Sequence, residues 1–511
     1  MTARGQPTSV EGPDGAAIAR ICAAVDRLPL GIELVAARVG TFSLQEIADG
    51  LGRDPGSLSR LGRGPSRQQT LHAEVDWSCR LATPEERIAH RRLAVLPRPF
   101  TLDAAEALCG TAPLRPGCAL DLVGGLAHRS LLASAGPARP DGPTWFAQLD
   151  TIRAHALAAL REAGEEEAVV DARTRWVADR VTTAPRYGRS GQIRWYEWLD
   201  DNRATVDTAL EAALHRGPPA ALAFALVRLL RYWIDRMHVV TGRRLLRLAA
   251  DVAWPDPLSA AVASAALGVM QAVDQDMAAT RPRLLAALPV LLAAPEGQWA
   301  DAGDLLTGMA AAIWTGDDWQ LAAEVARTAA GFGEHIGDVH VTLTARALGS
   351  AADLVVGDAQ EARAAARDVL AEEADLGDDF AALFAAVTLG IGAGFGGDPD
   401  GGLHWTAEIL RRQVALGIDD VADVLEQRGG HLDAAGRPDD AVRTLSASAV
   451  RQRRIGRTWP RTDGTAERLD RLRTSLGTAR FTLAWRAGQH LEVGELISDR
   501  PAQQPGRRAA R

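Results

Sequence analysis

The sequence predicts an all-α protein in which a short helical domain and a winged helix with a small β-hairpin precede an α-solenoid of stacked helix pairs. Its 511 residues are too many for one compact core and indicate several domains or a stack of repeats. Hydrophobic residues make up 47% of the chain and aromatic residues only 5%, a balance that favours helices over a β-sandwich or barrel. Turn signals recur about every 40 residues in the second half, as they do in stacked helix pairs.

The N-terminal part is predicted to begin with a disordered segment, residues 1–15, and to continue as a small helical domain, residues 16–80. Two helices meet in "DRLPLGIELVAARVG", where the proline suits the first turn of a helix. Ser43 and Glu46 have the spacing of a capping box, which predicts the start of the next helix. Apolar positions at helical spacing are expected to pack this domain against the winged helix, namely Ile32, Val35, Ala36 and Val39.

Residues 81–162 are predicted to form the winged helix, whose first helix follows a capping box at Thr83 and Glu86. Helical spacing covers the segments 85–96, 102–109 and 119–128. Two candidate strands, "SLLASA" and "TWFAQL", flank the turn-rich "GPARPDGP". Winged helices bind DNA or serve as internal packing modules. The third helix, "ALDLVGGLAHRSLL", offers only His128 and Arg129 as obvious DNA contacts, so packing is the favoured interpretation.

Residues 163–498 are predicted to form a superhelix of tetratricopeptide-like repeats, followed by a disordered Arg-rich tail at 499–511. In such repeats each helix pair buries its apolar face only against its neighbours. The period is longer than the usual repeat of about 34 residues, which predicts degenerate repeats. The turn signals that define the period lie near residues 236, 275, 316, 357, 397 and 436.

Charge and composition exclude several classes of protein. A net charge of -8 and a pI of about 5.8 disfavour a chain that coats nucleic acid, because phosphate neutralisation needs a basic surface. No apolar run of about 18 residues is found that could span a bilayer, so a cytoplasmic protein is expected. The sequence has no Ser-His-Asp motif and no Gly-rich phosphate loop after a strand. The chain is therefore not expected to be an enzyme, and no catalytic residue is predicted.

Metal binding is not predicted either. The cysteines have neither C-x-x-C spacing nor a neighbouring histidine set with zinc-ligand spacing, and they are interpreted as small buried side chains in a reducing compartment. They are Cys22, Cys79, Cys109 and Cys118. The histidines are scattered along the chain. Four of them are interpreted as helix-surface or core residues rather than ligands, namely His72, His90, His128 and His155.

Several segments carry a family resemblance in their order along the chain. They include "DRLPLGIELVAARV", "RQQTLHAEVDWSCRLATPEERIAHRRLAVLPRPFTLDAAEALC", "LDTIRAHALAALREAGE", "WLDDNRATVDTAL" and "LGTARFTLAWRAGQHLEVGELI". In this order they resemble the bacterial STAND-class, NB-ARC-type ATPases that regulate transcription, including LuxR-type and SARP-associated regulators. The resemblance implies an ATP-dependent switch, a winged helix, tetratricopeptide-like repeats and often a DNA-binding helix-turn-helix. It makes residues 16–80 a remnant of the NB-ARC region that carries the family's GLPL motif.

The sequence departs from this family at the nucleotide site. Members bind ATP through G-x-x-x-x-G-K-[ST], but the chain contains no lysine and no such loop. Pro29 matches the GLPL proline that lies near adenine in the family, although Arg27 replaces the glycine. The family's Met-His-Asp motif aligns with Gln148, Leu149 and Asp150, so only Asp150 carries over. Pro29 and Asp150 are therefore interpreted as degenerate remnants, and no cofactor is predicted.

The expected function is non-catalytic signal transduction or transcription regulation, in which the concave face of the repeats recognises a protein or small-molecule effector. Two alternatives stay open. In the first, the chain is a fragment of an ATP-dependent activator whose ATPase and DNA-binding parts are missing or lie on another chain, since no helix-turn-helix follows "AWRAGQHLEVGELI". In the second, it binds DNA directly through the winged helix or the Arg-rich "VRQRRIGRTWPR", although a solvated helix face and linker is favoured for that stretch.

Overall fold

The computed structural model describes residues 13–24, 43–53, 78–137, 139–188, 191–274, 276–316, 318–374, 376, 379–454 and 463–497, with single positions at Ile32, Val35, Val39, Val75 and Trp459. The chain divides into two compact units, Met1–Val177 with Asp201–Ala209, and Ala178–Asp200 with Leu210–Arg511. The predicted C-terminal tail lies outside the described residues. So does most of the predicted N-terminal tail, although residues 13–15 form the first turn of a helix.

The first unit combines helices with one small sheet. Its elements are α1 Pro13–Ala24, α2 Leu44–Arg53, α3 Pro84–Leu93, β1 Phe100–Thr101, α4 Leu102–Cys109, α5 Ala119–His128, β2 Ala133–Pro137, β3 Thr144–Ala147, α6 Asp150–Glu162 and α7 Glu166–Thr182. The end of α7 already belongs to the second unit.

Both predicted capping boxes form. The Thr83 hydroxyl accepts a hydrogen bond from the Glu86 backbone N–H at 3.1 Å, and the Glu86 carboxylate accepts one from the Thr83 backbone N–H at 2.7 Å. Ser43 and Glu46 make the same reciprocal pair, at 3.3 and 2.9 Å. These bonds satisfy N–H groups that the first turn of a helix leaves without intrahelical partners. The helices α2 and α3 therefore begin where the motif predicts them.

The elements from α3 to β3 follow the order of a winged helix, with β1 between the first two helices and a hairpin after the third. Strand β3 lies between β1 and β2 and is antiparallel to both. The prediction of helices followed by a hairpin is confirmed, whereas the short strand β1 was not predicted. Strand β2 begins at Ala133, later than predicted, because Ser130 has a φ of 58° and Leu131 and Leu132 are buried in the core.

Val35 is fully buried, as its helical spacing predicts. It packs with Ala17 and Ile21 of α1 and with Ile47 and Ala48 of α2. The expected packing partner was the winged helix, but that domain supplies none of the residues of this cluster. Two apolar clusters, rather than one, therefore stabilise the described part of the first unit.

The second unit consists of helix pairs joined by tight turns. Its helices are α8 Gln192–His215, α9 Ala220–Asp235, α10 Val239–Asp251, α11 Pro257–Val273, α12 Met277–Leu292, α13 Trp299–Thr315, α14 Trp319–Ile336, α15 Val339–Val356, α16 Ala359–Glu373, α17 Asp379–Phe395, α18 Pro399–Ala415, α19 Ala422–Ala434, α20 Pro438–Arg454, α21 Asp463–Leu476, α22 Thr478–Gly488 and α23 Val493–Ile497. Every predicted turn signal falls between the two helices of a pair, from α9 and α10 to α19 and α20. The predicted period of about 40 residues is therefore confirmed.

Aspartate side chains explain why these turns recur. Asp276, Asp318, Asp358 and Asp398 each accept a hydrogen bond from a backbone N–H in the first turn of the helix that follows. A short carboxylate at this position satisfies donors that would otherwise lack a partner. Each of these residues therefore fixes the start of the second helix of its pair, in α12, α14, α16 and α18.

One described helix, α15, is long and apolar enough to cross a membrane by length and composition. This corrects the expectation that the sequence contains no such run. The helix is nevertheless 67% buried inside the protein. Its apolar character has a simpler cause, because the first helix of a stacked pair contacts neighbouring helices on several sides.

Candidate effector site on the inner face of the repeats

The first helices of successive pairs line one cavity. Among the described residues, α9, α11, α13, α17 and α19 surround it, together with two residues each from α18 and the turn after it, whereas the first helix α15 and the second helices α10, α12, α14, α16 and α20 contribute none. We call the surface formed by these first helices the inner face. The cavity encloses about 1130 Å³, part of which is open to solvent.

The cavity wall is largely apolar, with Phe384 and Val387 among its residues. Trp314 Nε1, Gln413 Oε1 and Gln427 Oε1 belong to the same wall, and each is buried with no hydrogen-bond partner in the described part of the chain. Buried polar atoms in proteins are normally paired. Arg231 Nε of the same wall is a fourth such atom, so the cavity is a place where a ligand could supply missing bonds after small side-chain rotations.

A buried ion pair forms part of the same wall. Arg231 Nη2 lies 2.9 Å from Asp235 Oδ1, and the Tyr196 hydroxyl donates to Asp235 Oδ2 at 2.8 Å. The Arg231 guanidinium lies 4.6 Å from the centre of the Tyr187 ring and 5.3 Å from that of Phe380. Burial raises the pKa of Asp235, against the opposing effect of Arg231. Desolvation acts to lower the pKa of Arg231, but the Asp235 carboxylate outweighs it and the pKa is raised. The pair is held too closely to serve as a free binding charge.

The chain itself fills part of the inner face. In the segment between α7 and α8, Arg186 Nε donates to Asp304 of α13 at 2.9 Å, and its Nη1 donates to Asp338 at 2.5 Å. Asp338 caps the start of α15. The neighbouring Tyr187 ring packs edge-on against Phe380 of α17, with the ring centres 4.2 Å apart. One arginine and one tyrosine thus contact three successive first helices. The expected effector surface is therefore only partly open.

Two distant parts of the second unit are also joined at this face. Gln192 Nε2 donates to the Leu416 carbonyl at 2.7 Å, and the Asp419 backbone N–H donates to the Asp235 carbonyl at 2.7 Å. Arg236 Nη1 lies 3.3 Å from the Asp419 carboxylate. The start of the stack therefore contacts the turn between α18 and α19 directly, in addition to the contacts between neighbouring pairs.

The residues interpreted as nucleotide-site remnants are not part of this cavity wall as described. Pro29 lies outside the described residues. Asp150 begins α6 in the first unit, where its exposed carboxylate lies 2.5 Å from Arg98 Nη2. Gln148, which aligns with the methionine of the family motif, is buried, and its Nε2 donates to the His90 carbonyl at 2.8 Å. The aligned residues that the structure describes thus make contacts inside the first unit.

Helix α5, the third helix of the predicted winged helix, presents few side chains suited to contacting phosphate groups. His128 is exposed, but Arg129 Nε donates to the Glu86 carboxylate at 2.9 Å. Leu120 is 67% exposed on the same helix, next to the exposed Asp121. A DNA-binding helix needs cations that are free to contact phosphate. This surface presents an apolar side chain and a carboxylate instead.

The Arg-rich stretch "VRQRRIGRTWPR" lies only partly among the described residues. In its described part, Arg451 Nη2 donates to the Leu491 carbonyl at 3.1 Å, and Arg453 Nε donates to the Ala449 carbonyl at 3.2 Å. These arginines cap backbone carbonyl groups of the second unit. The described part therefore agrees with the interpretation of a helix face.

Most of the inner face could not be found from local sequence patterns. Arg231 and Asp235 stand four positions apart on a helix, a spacing that does predict an ion pair. Arg186, by contrast, lies 118 residues from Asp304 and 152 from Asp338. No periodicity links positions so far apart, and only the fold brings them together.

Comparison with known proteins gives partial matches. No family model matches the chain. It is 38% identical over 160 residues to provisionally named HTH-type transcriptional regulators of Mycobacterium bovis and Mycobacterium tuberculosis, a stretch that covers 31% of this chain and 18% of each regulator. It is 34% identical over 179 residues to uncharacterized proteins of the same two species, covering 35% of this chain and 44% of theirs. The chain thus spans less than half the length of these relatives.

Among solved structures, the chain is similar to a signal transduction ATPase with numerous domains, a STAND protein with a tetratricopeptide repeat sensor from Pyrococcus horikoshii. The two chains share 12% sequence identity and superpose with a TM-score of 0.41. The superposition covers 90% of this chain and 75% of the other.

Proposed function

We propose that the chain is a non-catalytic regulatory protein of transcription whose inner face binds a protein or small-molecule effector. The observation that carries the proposal is the cavity, where apolar walls surround buried polar atoms without partners. The transcriptional part is supported by 38% identity to HTH-type regulators over 31% of the chain. The cavity favours a ligand that is mostly apolar and carries a few hydrogen-bonding groups.

Gly308 allows a direct test of the effector site. It lines the cavity, and a Cβ atom added to it meets no other atom within 4 Å. Gly308→Trp is therefore expected to fill the cavity without disturbing α13. Gly331 of α14 is a matched control, because an added Cβ also meets no atom within 4 Å there but the residue is exposed and does not line the cavity.

The experiment compares transcript levels in the bacterium that encodes the chain, with the gene deleted and then restored as wild type or as either variant. We expect deletion to change a defined set of transcripts, wild type and Gly331→Trp to restore them, and Gly308→Trp to fail. Circular dichroism and thermal unfolding of the purified variants must match wild type. Unchanged transcripts after deletion would contradict the regulatory role, whereas full restoration by Gly308→Trp would contradict the effector site alone.

We also propose that the chain uses no nucleotide cofactor and does not hydrolyse ATP. The support is the absence of lysine and of a G-x-x-x-x-G-K-[ST] loop in the sequence, together with Leu149 in place of the family's histidine. Calorimetry should show ATP binding no tighter than high micromolar. Saturable binding at low micromolar ATP would contradict this proposal.

The proposed regulatory role also suggests which proteins would act together with this chain. An ATPase or DNA-binding protein acting in trans would supply what the described units lack, and a cytoplasmic location fits that role. Direct DNA binding is disfavoured because Arg129 is paired with Glu86 and the exposed part of α5 includes Leu120 and Asp121. No membrane role is proposed for α15, since most of that helix is buried.

A further inference from the structure

Cys79, His90 and His155 meet in the first unit, although they come from three separate segments. Cys79 lies in the helical turn 78–81, His90 in the last turn of α3, and His155 in α6. One possible ligand atom from each residue lies within 4.8 Å of those of the other two. From this geometry we propose a metal site that binds Zn²⁺ through one thiolate and two imidazole nitrogens.

The buried His90 ring has one nitrogen that makes no hydrogen bond to the described residues. The residue is 2% exposed, and its Nε2 has no hydrogen-bond partner among the residues that the structure describes. Burial, with a smaller effect of His155, lowers the pKa of His90 to about 4, so the ring is neutral at pH 7. A buried polar atom without a partner is unfavourable. A metal ion at Nε2 would remove that cost without first having to displace a proton from an imidazolium.

Gln148 can hold His90 in the tautomer that metal binding needs. Gln148 Nε2 lies 3.2 Å from His90 Nδ1, while Gln148 Oε1 is buried with no partner in the described chain. A half-turn of this carboxamide, with a shift away from the His90 carbonyl that Nε2 now contacts, would bring Oε1 to the Nδ1–H group. Histidines that bind metals usually donate their second N–H to such an acceptor. Gln148 is therefore a positioning residue rather than a ligand.

The ligand set suits Zn²⁺ among common ions. Zinc binds thiolate sulfur at about 2.3 Å and imidazole nitrogen at about 2.0 Å in tetrahedral geometry, which places the ligand atoms about 3.5 Å apart. Because the atoms of Cys79, His90 and His155 lie no more than 4.8 Å apart, a closure of at most about 1.3 Å would reach this geometry, which rotation of the side chains can provide. The set contains no carboxylate, so the oxygen-seeking Mg²⁺ and Ca²⁺ are poor candidates. Water would complete the fourth position.

The test uses the full chain without a histidine tag, freed of metal with EDTA and titrated with Co²⁺ and then Zn²⁺. We expect the visible spectrum of a tetrahedral cobalt thiolate, one ion per chain, which Zn²⁺ abolishes by displacement. Cys79→Ala and His155→Ala should each weaken Zn²⁺ binding by about 100-fold or more, and Gln148→Leu by about 10-fold. Cys109→Ala is the matched control, because Cys109 is another buried thiol of the same core cluster and lies outside the trio.

Two results would overturn the site: no Co²⁺ spectrum with the wild-type chain, or binding that Cys79→Ala leaves unchanged. Should a variant fail to fold, X-ray absorption at the zinc edge of the wild-type complex decides the question. One sulfur and two imidazole ligands support the proposal, and any other set contradicts it. The outcome is independent of the effector site, which lies in the second unit.

Discussion

The first unit places a buried thiol beside one buried and one half-buried imidazole, whereas the second places a half-buried arginine and a buried aspartate among aromatic rings. In the second unit, Arg231 Nε has no hydrogen-bond partner among the described residues, but the charge of Arg231 is balanced by Asp235 and by two aromatic rings. In the first unit, burial lowers the pKa of His90, and no carboxylate among the described residues counters that effect. A buried charge that is paired within the protein helps to hold helices together. A buried polar atom that has no partner within the protein is suited to bind a ligand.

This contrast distinguishes residues that stabilise the fold from residues that bind a ligand, which burial alone cannot do. Both clusters are polar and largely buried, with His155 and Arg231 half-buried, and both join segments that are distant in the sequence. The useful distinction is whether the protein itself supplies the opposite charge. Where it does, substitution should mainly affect stability. Where it does not, substitution should mainly affect what the protein binds.

The largest loss of stability is expected for Asp235→Ala. The change leaves Arg231 buried without its counter-charge and removes the acceptor of the Tyr196 hydroxyl. The free energy of unfolding, measured by urea titration of the full chain, should fall by about 3 to 5 kcal/mol. Glu372→Ala is the control, because its pair with Arg346 is exposed, and the expected loss there is below about 1 kcal/mol. Equal losses for the two variants would refute the structural role of the buried pair.

A smaller loss is expected for Arg186→Ala, which frees the segment between α7 and α8 from Asp304 and Asp338. Because these charge-assisted bonds are only partly exposed, the loss should be about 2 to 3 kcal/mol. Arg186→Lys should recover only part of it, since a single ammonium cannot reproduce the planar fork. The measurement is the same urea titration. Full recovery by lysine would show that charge alone, without the guanidinium geometry, holds the segment.

Acid should weaken the first unit through His90. The pKa of His90 is lowered to about 4 in the folded chain, below its ordinary value near 6.5, so the unfolded chain binds more protons between these values. Stability contributed by neutral His90 is therefore present above pH 6.5 and is lost as the pH falls toward 4. From pH 7 to 5 the loss should be about 2 kcal/mol in metal-free protein. His90→Gln should remove this part of the pH dependence, and an unchanged profile would contradict the assignment.

The smallest effect is expected at the turn between α9 and α10. Met237 has a φ of 62°, and the equivalent positions in two later turns are Gly397 and Gly436, with φ of 67° and 71°. Left-handed backbone favours glycine because a Cβ atom crowds the following carbonyl. Met237→Gly should raise the free energy of unfolding by up to about 1 kcal/mol, seen as a higher thermal midpoint. A lower midpoint would mean that Met237 packing outweighs the backbone strain.

The fold was predictable from the sequence because its determinants are local. The Thr83 and Glu86 pair, and aspartates such as Asp358 and Asp398, act within three or four residues of their own positions. Short-range chemistry of this kind leaves a pattern in the sequence. The starts of the helices, the turns and the repeat period could therefore all be predicted from the sequence.

The sites were less predictable because their residues converge only in three dimensions. The spacing of Cys79, His90 and His155 in the sequence matches no metal-binding motif. Considered alone, each of them is interpreted as an ordinary core or surface residue. Arg186 likewise gives no local signal of its carboxylate partners. The expectation that Val35 packs against the winged helix failed for the same reason, since helical spacing shows that a face is buried but not what covers it.

The hydrogen bonds that join α8 and α9 to the turn after α18 can form only late in translation, because the two segments are far apart in the sequence. Arg236 and Asp419 are 183 residues apart, so at ribosomal rates of about 5 to 20 residues per second the second partner emerges on the order of 10 to 40 s after the first. Until then Gln192 and the Asp235 carbonyl lack the groups they bind in the finished protein. A nascent chain must therefore carry an unfinished inner face while more than a third of its residues are made, and chaperones and proteases have access to that face during this interval.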